Sequence, residues 1–200
     1  MARRSDHSQE EIRDMALAAS RNIIIHQGLA ALSARKIAQE IGYTPGTLYL
    51  VFENQDDLIL HINAVTLDQL YARLKAASSR CRKPQTCILK LGFEYAAFAI
   101  ENRHLWNAIF EHRLPEGQHA PTWFQQHVTR LYELVEVELV KMADGKRIDS
   151  RLAATALWSG VHGICVLGLN DKIDNSNDKQ IQQLVESLIS NYLSGLLPND

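Results

Sequence analysis

This chain of 200 residues has few cysteines, a small net charge and no long apolar run. The three cysteines, Cys81, Cys87 and Cys165, are odd in number and lack CxxC or zinc-finger spacing, which predicts reduced thiols rather than a disulfide framework. The longest nearly apolar run, residues 158–169, is too short to span a bilayer. The two arginines near the N-terminus are not followed by the apolar core of a secretory signal. These absences predict a cytoplasmic protein outside the membrane.

Glycine and proline are also few, at ten and five residues, while Ala, Leu, Ile, Gln and Glu are plentiful, and this favours an all-helical fold. The net charge of −2 gives no global sign of a nucleic-acid partner, so any basic footprint has to be local. Residues 1–52 hold six Lys and Arg against five Asp and Glu, and the remainder holds fifteen against eighteen. The N-terminal part is therefore slightly more basic than the rest.

Motifs of catalysis and metal binding are missing too. The chain has no Gly-rich phosphate loop, no nucleophile elbow and no carboxylate pair set on a scaffold. No two of the histidines in its second half are spaced i, i+4, and none pairs with a cysteine at ligand spacing: His104, His112, His119, His127 and His162. We therefore expect no enzyme activity, no cofactor and no metal site.

Residues 33–52 carry the most informative pattern, which predicts two short helices joined by a tight turn. Ser33 is the expected N-cap of the first helix, and Gly42 is the expected left-handed residue that ends it. The second helix begins at Thr44, with Pro45 in its first turn, where the missing N–H costs nothing. Its apolar face is formed by Leu48, Val51 and Phe52. This arrangement is a helix-turn-helix.

Residues 41–52, Ile-Gly-Tyr-Thr-Pro-Gly-Thr-Leu-Tyr-Leu-Val-Phe, followed by Asn-Gln-Asp-Asp-Leu at 54–58, resemble the DNA-binding signature of TetR-family transcriptional regulators. The resemblance covers roughly the first 60 residues. It implies a three-helix DNA-binding domain at 1–55, and a linker helix with a ligand-binding and dimerisation domain at 56–200. It also implies a homodimer on a palindromic operator in double-stranded DNA, and a small effector molecule that releases it. We expect a repressor.

A recognition helix places small or hydrogen-bonding residues in the major groove while other groups grip phosphates. The residues predicted to face DNA are Thr44, Pro45, Gly46, Thr47, Tyr49 and Leu50, and those predicted to form an anion site are Ser33, Arg35 and Lys36. The sequence departs from the family pattern twice. A lysine common at the start of the linker helix is replaced by Asn54 or Gln55, and a basic residue is replaced by Leu50. Phosphate binding is then expected either to be weaker or to depend on Arg35, Lys36 and the N-terminal arm. Arg3 and Arg4 of that arm are either DNA contacts or part of a solvated tail.

Capping signals and helical spacing predict the remaining elements. A capping box at Ser8 and Glu11 opens a helix that Gly28 ends, and Asn54 caps a linker helix that runs to about Ser79. Five further helices are expected to form an antiparallel bundle at 84–101, 103–113, 121–143, 149–168 and 178–196.

Two surfaces of this bundle are candidates for function. A flat face of small residues (Ala156, Ser159, Gly160 and Gly163), together with the broad apolar stripe of the last helix, predicts a dimer interface. Burial of both within one subunit is the alternative. The residues proposed to line a pocket for a hydrophobic or aromatic effector are Phe93, Phe98, Trp106, Phe110, Trp123, Trp158 and His162. Ordinary core packing is the alternative for each of them.

Three other readings stay open at this point. A protein-interaction adaptor of the same fold with a vestigial DNA head is favoured by the missing linker-helix lysine and the nearly neutral head. A transcriptional activator is a second alternative. Cys81 and Cys87 could sense oxidants, since the neighbouring Arg80, Arg82 and Lys83 would lower a thiol pKa.

Overall fold

The computed structural model describes residues 7–145, 147–173 and 177–196. Within these ranges the chain forms nine α-helices, one short 3₁₀ turn and no strand, which confirms the all-α class. The arm at residues 3–4 lies outside the described residues. The helices are α1 (Gln9–Gln27), α2 (Ala34–Glu40), α3 (Pro45–Leu48), α4 (Gln55–Ser78), α5 (Pro84–Glu101), α6 (Arg103–Glu111), α7 (Thr122–Ala143), α8 (Ser150–Leu169) and α9 (Asp178–Leu196).

Local capping chemistry sets the ends of the N-terminal helices as the sequence predicts. Ser8 and Glu11 form both hydrogen bonds of a capping box at the start of α1. Gly42 adopts φ 75° after α2, a conformation that strains residues with a Cβ. Asn54 Oδ1 accepts the backbone N–H of Asp57 at 2.9 Å and so caps α4. The helix-turn-helix is therefore specified largely by short-range contacts.

Helix α3 is shorter than the apolar spacing to Phe52 suggests. Regular helix ends at Leu48, and the chain continues in tight turns in which the Leu48 carbonyl accepts N–H groups from Val51 at 3.1 Å and Phe52 at 2.9 Å. Leu48 and Phe52 are nonetheless buried, as predicted. We call residues 44–52 the recognition segment.

The chain divides into two compact units, and the first combines Met1–Thr66 with His104–Phe124. Its core joins the apolar faces of α1, α2, α3 and the first half of α4, with Ile23, Ile37 and Ile62 almost fully buried. Leu105 and Ala108 of α6 also belong to this core. The sequence analysis predicted that α6 belongs to the C-terminal bundle. The packing corrects this prediction, because the apolar face of α6 completes the core around the first half of α4.

The second unit contains Leu67–Arg103 and Gln125–Asp200, and α5, α8 and α9 pack against one another within it. Close approach depends on glycines at three points, of which Gly168, against Ile181 of α9, is one. A Cβ added to Gly160 would lie 2.6 Å from Leu188 Cδ2, and one added to Gly92 would collide with Ile189. Gly160 therefore serves packing of α8 on α9 inside the subunit, which is the alternative that the sequence left open for part of the flat face.

Cys81 and Cys87 form a disulfide between the end of α4 and the first turn of α5, with their Cα atoms 5.5 Å apart. The prediction of reduced thiols is wrong for this pair, since the reversal of the chain between two helices brings together cysteines that have no recognisable motif spacing. Cys165 is a buried thiol whose pKa is raised to about 12 by desolvation. The buried thiol is therefore unreactive at neutral pH.

Helix α8 is long and apolar enough to cross a membrane by length and composition. Core helices of soluble proteins pass the same test, and Ala153, Leu157 and Val161 of α8 are buried inside the second unit. The apolar character of α8 is thus explained at least partly by packing.

Candidate nucleic-acid interface and bundle cavity

The recognition segment separates a buried face from an exposed one. Leu48 and Phe52 point into the core, with 2% and 3% of their surface exposed, while Tyr49 and Leu50 are 50% and 67% exposed. Pro45 and Gly46 are exposed at the start of α3. Small residues at the start and a tyrosine at the end of one surface can approach a groove closely and donate to phosphate oxygens. The sequence predicted this exposed set.

Thr44 and Thr47 have a second role in the same segment. Their hydroxyl oxygens lie 3.2 Å apart, so one hydroxyl donates to the other across the first turn of α3. Both side chains are half-buried. Thr47 therefore fixes the turn as well as presenting a hydroxyl near its surface.

The start of α2 forms a modest basic patch. Ser33 Oγ accepts the backbone N–H of Lys36 at 3.3 Å, and the Lys36 ammonium donates to the side-chain carbonyl of Gln27. Arg35 is exposed. The backbone N–H of Lys36, which the sequence assigned to an anion, is thus already bonded to the Ser33 hydroxyl. Helix α2 is also short, with seven residues. The side-chain charges of Arg35 and Lys36 are consequently the stronger features for phosphate.

The start of α4 is acidic where related signatures carry a lysine. Gln55 is exposed, and Asp56 and Asp57 occupy the first turn. Asp57 Oδ2 accepts the backbone N–H of Glu53 at 3.1 Å, so this carboxylate is used in capping. Aspartates at a helix N-terminus stabilise the helix but repel phosphate.

A guanidinium that the sequence did not single out lies behind the recognition segment. Arg13 of α1 donates from Nη1 to the carbonyl oxygen of Val51 at 3.1 Å, and its Cζ lies 5.0 Å from the ring centroid of Phe52. No sequence pattern marks Arg13 for the contact with Val51, because that contact depends on how α1 packs against the recognition segment.

The second unit holds a narrow apolar cavity of about 40 Å³. Its walls come from α4, α5, α7, α8 and α9, and they are formed by Leu74, Ile88, Leu91, Gly92, Tyr95, Leu131, Val135, Leu157, Trp158, Val161 and Ile189. Sites for small organic ligands usually measure about 300–1,000 Å³. This cavity holds a water-sized molecule as it stands and must widen to hold an organic ligand.

Tyr95 and Trp158 line the cavity, and His162 and Tyr132 contact these two side chains. The Tyr95 hydroxyl lies 2.9 Å from His162 Nδ1, and the Trp158 and His162 rings stack with centroids 5.1 Å apart. Tyr132 packs on Trp158 at 5.2 Å. Burial lowers the pKa of His162, so its imidazole is neutral at pH 7. The Tyr95 hydroxyl and the Trp158 indole N–H are polar groups on residues that line this largely apolar space, and His162 contacts both side chains.

The structure does not gather the seven predicted ligand residues into one place. Trp158 lines the cavity and His162 adjoins it, whereas Phe93 borders a separate open groove with Arg80 and Lys90. Phe98 is a buried residue of the second unit. The other three, Trp106, Phe110 and Trp123, belong to the first unit. Tyr95 and Tyr132 are absent from the predicted set, because their contacts with His162 and Trp158 join residues far apart in the sequence.

Among the described residues, no three His, Cys, Asp or Glu side chains gather to hold a metal ion.

Family models match both parts of the chain. A model described as "Bacterial regulatory proteins, tetR family" matches residues 16–62, and one described as "Tetracyclin repressor-like, C-terminal domain" matches residues 88–192. The first match contains the recognition segment and the second contains most of the cavity walls.

Individual proteins are similar to this chain over nearly its whole length. The HTH-type transcriptional regulator PksA of Bacillus subtilis is 24% identical, with 94% of each chain covered. A Rhodococcus sp. RHA1 protein of unknown function has a TM-score of 0.79 at 18% identity, covering 98% of this chain and 99% of its own. The regulator FadR from Bacillus subtilis, solved with stearoyl-CoA, has a TM-score of 0.68 at 16% identity, covering 92% and 99%.

Proposed function

Because this chain belongs to the TetR family of transcriptional regulators, we propose that it is a repressor that binds a palindromic operator as a homodimer. A small apolar or aromatic effector entering the second unit releases it. The chain is a DNA-binding regulator and not an enzyme. The observation that carries the proposal is the recognition segment, whose outward side chains Tyr49 and Leu50 have half or more of their surface exposed. A regulator of this kind acts in the cytoplasm.

In this proposal the exposed recognition segment enters the major groove. Thr47 and Tyr49 donate to phosphate or base acceptors, and Leu50 and Pro45 contact thymine methyl groups. Gly46 lets the backbone approach the DNA, since an added Cβ there would extend into open space rather than into the protein. Arg35 and Lys36, with Ser33 beside them, neutralise the adjacent phosphates.

The dimer is proposed to form through α8 and α9. The outer face of α8 carries a stripe that is apolar at both ends and small in the middle, formed by Leu152, Ala156, Ser159, Gly163 and Leu167. The α9 stripe divides, with Ile181, Val185 and Ile189 buried in the subunit and Leu184, Leu188 and Tyr192 half-buried. The half-buried residues supply the second helix of a four-helix contact across a two-fold axis.

The cavity beside Trp158 is the proposed effector site. Its walls are apolar apart from the Tyr95 hydroxyl and the Trp158 indole N–H, with His162 adjoining them, which fits an aromatic or aliphatic molecule with one or two hydrogen-bonding groups. An effector that stabilises a widened bundle weakens DNA binding when DNA favours the narrow form. By thermodynamic linkage, DNA then weakens effector binding by the same factor.

One observation favours the adaptor alternative. The surface that would face DNA carries exposed Leu50, and the start of α4 presents Gln55, Asp56 and Asp57 in place of a cation. A vestigial head of this kind would bind DNA weakly and without sequence preference. An activator would use the same surfaces as a repressor and differ in the position of its operator.

Selection of bound fragments from sheared genomic DNA of the source organism by the purified full-length chain tests the proposal. A palindromic site with half-sites one helical turn apart, about 34–36 Å, supports the dimeric regulator. Affinity for that site is expected to fall steeply between about 50 and 200 mM salt. A folded dimer that enriches no sequence at moderate salt would contradict the proposal and support the adaptor.

A further inference from the structure

The carbonyl of Val51, next to last in the recognition segment, accepts a hydrogen bond from a side chain of another helix. Carbonyl groups at the end of a helical turn have no partner within the turn. The Val51 oxygen accepts Arg13 Nη1 at 3.1 Å, and the guanidinium also lies over the ring of Phe52. Arg13 therefore fixes the point where the segment that carries Tyr49 and Leu50 leaves the helix-turn-helix.

Arg13 is itself held by a histidine of α4. Its Nη2 lies 2.7 Å from His61 Nε2. A guanidinium has donors and no acceptor, so His61 accepts this bond in its neutral form, with its proton on Nδ1. The carboxylate of Asp57 lies 3.3 Å from the same Nε2. A protonated His61 would donate to Asp57 and could no longer accept from Arg13.

The His61 ring is in turn oriented by the start of α7. The rings of His61 and Trp123 stack with centroids 4.4 Å apart and an interplanar angle of 11°. Trp123 is half-buried in the first turn of α7. Stacking fixes the plane of the imidazole, and that plane decides whether Nε2 faces Arg13.

We propose that His61 and Trp123 are positioning residues for DNA reading, acting through Arg13 on the Val51 carbonyl. Neither touches DNA in this arrangement. The inference rests on the proposed function, since it concerns the segment assigned to the major groove. It adds two supporting residues outside the helix-turn-helix, His61 of α4 and Trp123 of α7.

The test measures binding of the variants to the duplex that the wild-type chain selects, at pH 7.5. Arg13→Ala, His61→Ala and Trp123→Ala are each expected to weaken binding about tenfold, the equivalent of one hydrogen bond of about 1.4 kcal/mol. The Arg13→Ala/Trp123→Ala pair should weaken it no more than either change alone, because both break the same chain of contacts. Trp123→Phe keeps a stacking ring and should restore most of the affinity.

His104→Ala is the matched control. His104 also links α6 to α1, through a 2.8 Å contact between Nδ1 and the carbonyl of Ile25, but it does not reach the recognition segment. Its affinity for the duplex should stay within about twofold of wild type. Thermal unfolding of every variant shows whether lost binding reflects lost structure.

A pH profile separates positioning from a purely structural role. Charged groups facing His61 include Arg13 on α1 and Asp57 on α4, and its aromatic neighbours Phe52 and Trp123 are uncharged. Acidification from pH 7.5 to 5.5 should weaken wild-type binding relative to His61→Gln, whose side-chain oxygen accepts from Arg13 at either pH. This arm decides the matter even if His61→Ala fails to fold.

The outcomes are distinct. Wild type that binds DNA while the His61 and Trp123 variants bind equally well overturns the inference and leaves the proposed function intact. Independent, multiplying losses in the double variant, or the same pH profile for wild type and His61→Gln, also overturn it. Wild type that selects no duplex overturns the proposed function, and the inference with it.

Discussion

The two candidate sites of this chain differ in how complete they are before a ligand arrives. The recognition segment of the first unit already exposes Tyr49 and Leu50 on a turn fixed by Thr44 and Thr47. The cavity of the second unit has about 40 Å³ of space between large side chains. One site needs a partner to approach, and the other needs the protein to open. Regulation follows if opening the second alters the first.

Truncating a leucine in each site gives the largest expected contrast. Leu157→Ala removes a buried side chain that lines the cavity, which should lower the free energy of unfolding by about 2–5 kcal/mol. Leu50→Ala removes an exposed side chain and should change it by less than about 0.5 kcal/mol. Urea unfolding of both variants checks this. Equal stability losses would show that the recognition segment is also part of a packed core.

A substitution on the bundle surface should impair the head without touching it. Gly163 has open space around an added Cβ within the subunit and lies in the middle of the α8 stripe. Gly163→Arg should dissociate the dimer and weaken operator binding about a hundredfold, because the second head is no longer held at the second half-site. Sedimentation and DNA titration measure both effects. Gln183→Arg, on an exposed part of α9, is the control that should remain dimeric.

The disulfide offers a test confined to the second unit. Cys81→Ser/Cys87→Ser opens a short covalent loop and should lower the free energy of unfolding by about 2 kcal/mol under oxidising conditions. With reductant present, wild type and variant should unfold alike. DNA affinity measured with and without oxidant then tests the redox-sensing prediction. An oxidant effect that persists in the double-serine variant would assign the response to other groups.

Two substitutions in the recognition segment should weaken DNA binding. Tyr49→Ala should leave stability nearly unchanged, whereas Thr47→Ala also removes the hydroxyl contact with Thr44 and should lower the free energy of unfolding by about 1 kcal/mol. Tyr49→Ala and Thr47→Ala are each expected to weaken operator binding about tenfold, since each removes one donor from the surface facing DNA. Fluorescence anisotropy with the selected duplex measures the loss, and circular dichroism monitors the fold. His26→Ala, at an exposed position near the end of α1, is the comparison. Unchanged affinity in both variants would remove the segment from its proposed role.

The smallest expected effect is the loss of stability that acid causes through His162, beside the cavity. Burial lowers the pKa of His162 in the folded chain. Below its ordinary value of about 6.5, the unfolded chain therefore binds more protons than the folded one, and stability decreases as the pH falls. Unfolding of wild type and His162→Gln at pH 7.5 and 5.5 measures this part of the slope. An identical pH dependence would show that His162 titrates alike in both states.

The same contrast explains what could be predicted from the sequence. Caps, glycine turns and helical spacing are local, so Ser8, Gly42 and Asn54 placed the helix ends closely. Arg13 and His61 are 48 residues apart, and Tyr95 and His162 are 67 apart, so nothing in their local sequence marks either pair. Grouping aromatic residues by sequence mixed two units, because Trp106 and Trp123 belong with the head.

The participation of Leu105 and Ala108 in the core of the first unit has a consequence for exchanging parts between regulators. A head excised at residue 66 would lose part of its own interior, although it would contain the entire helix-turn-helix. A chimera that transplants this operator specificity onto another bundle must therefore carry residues 104–124 as well, or replace the host's equivalent surface. In recombination, as in engineering, the DNA-binding unit that must be transferred consists of two separate segments of the sequence.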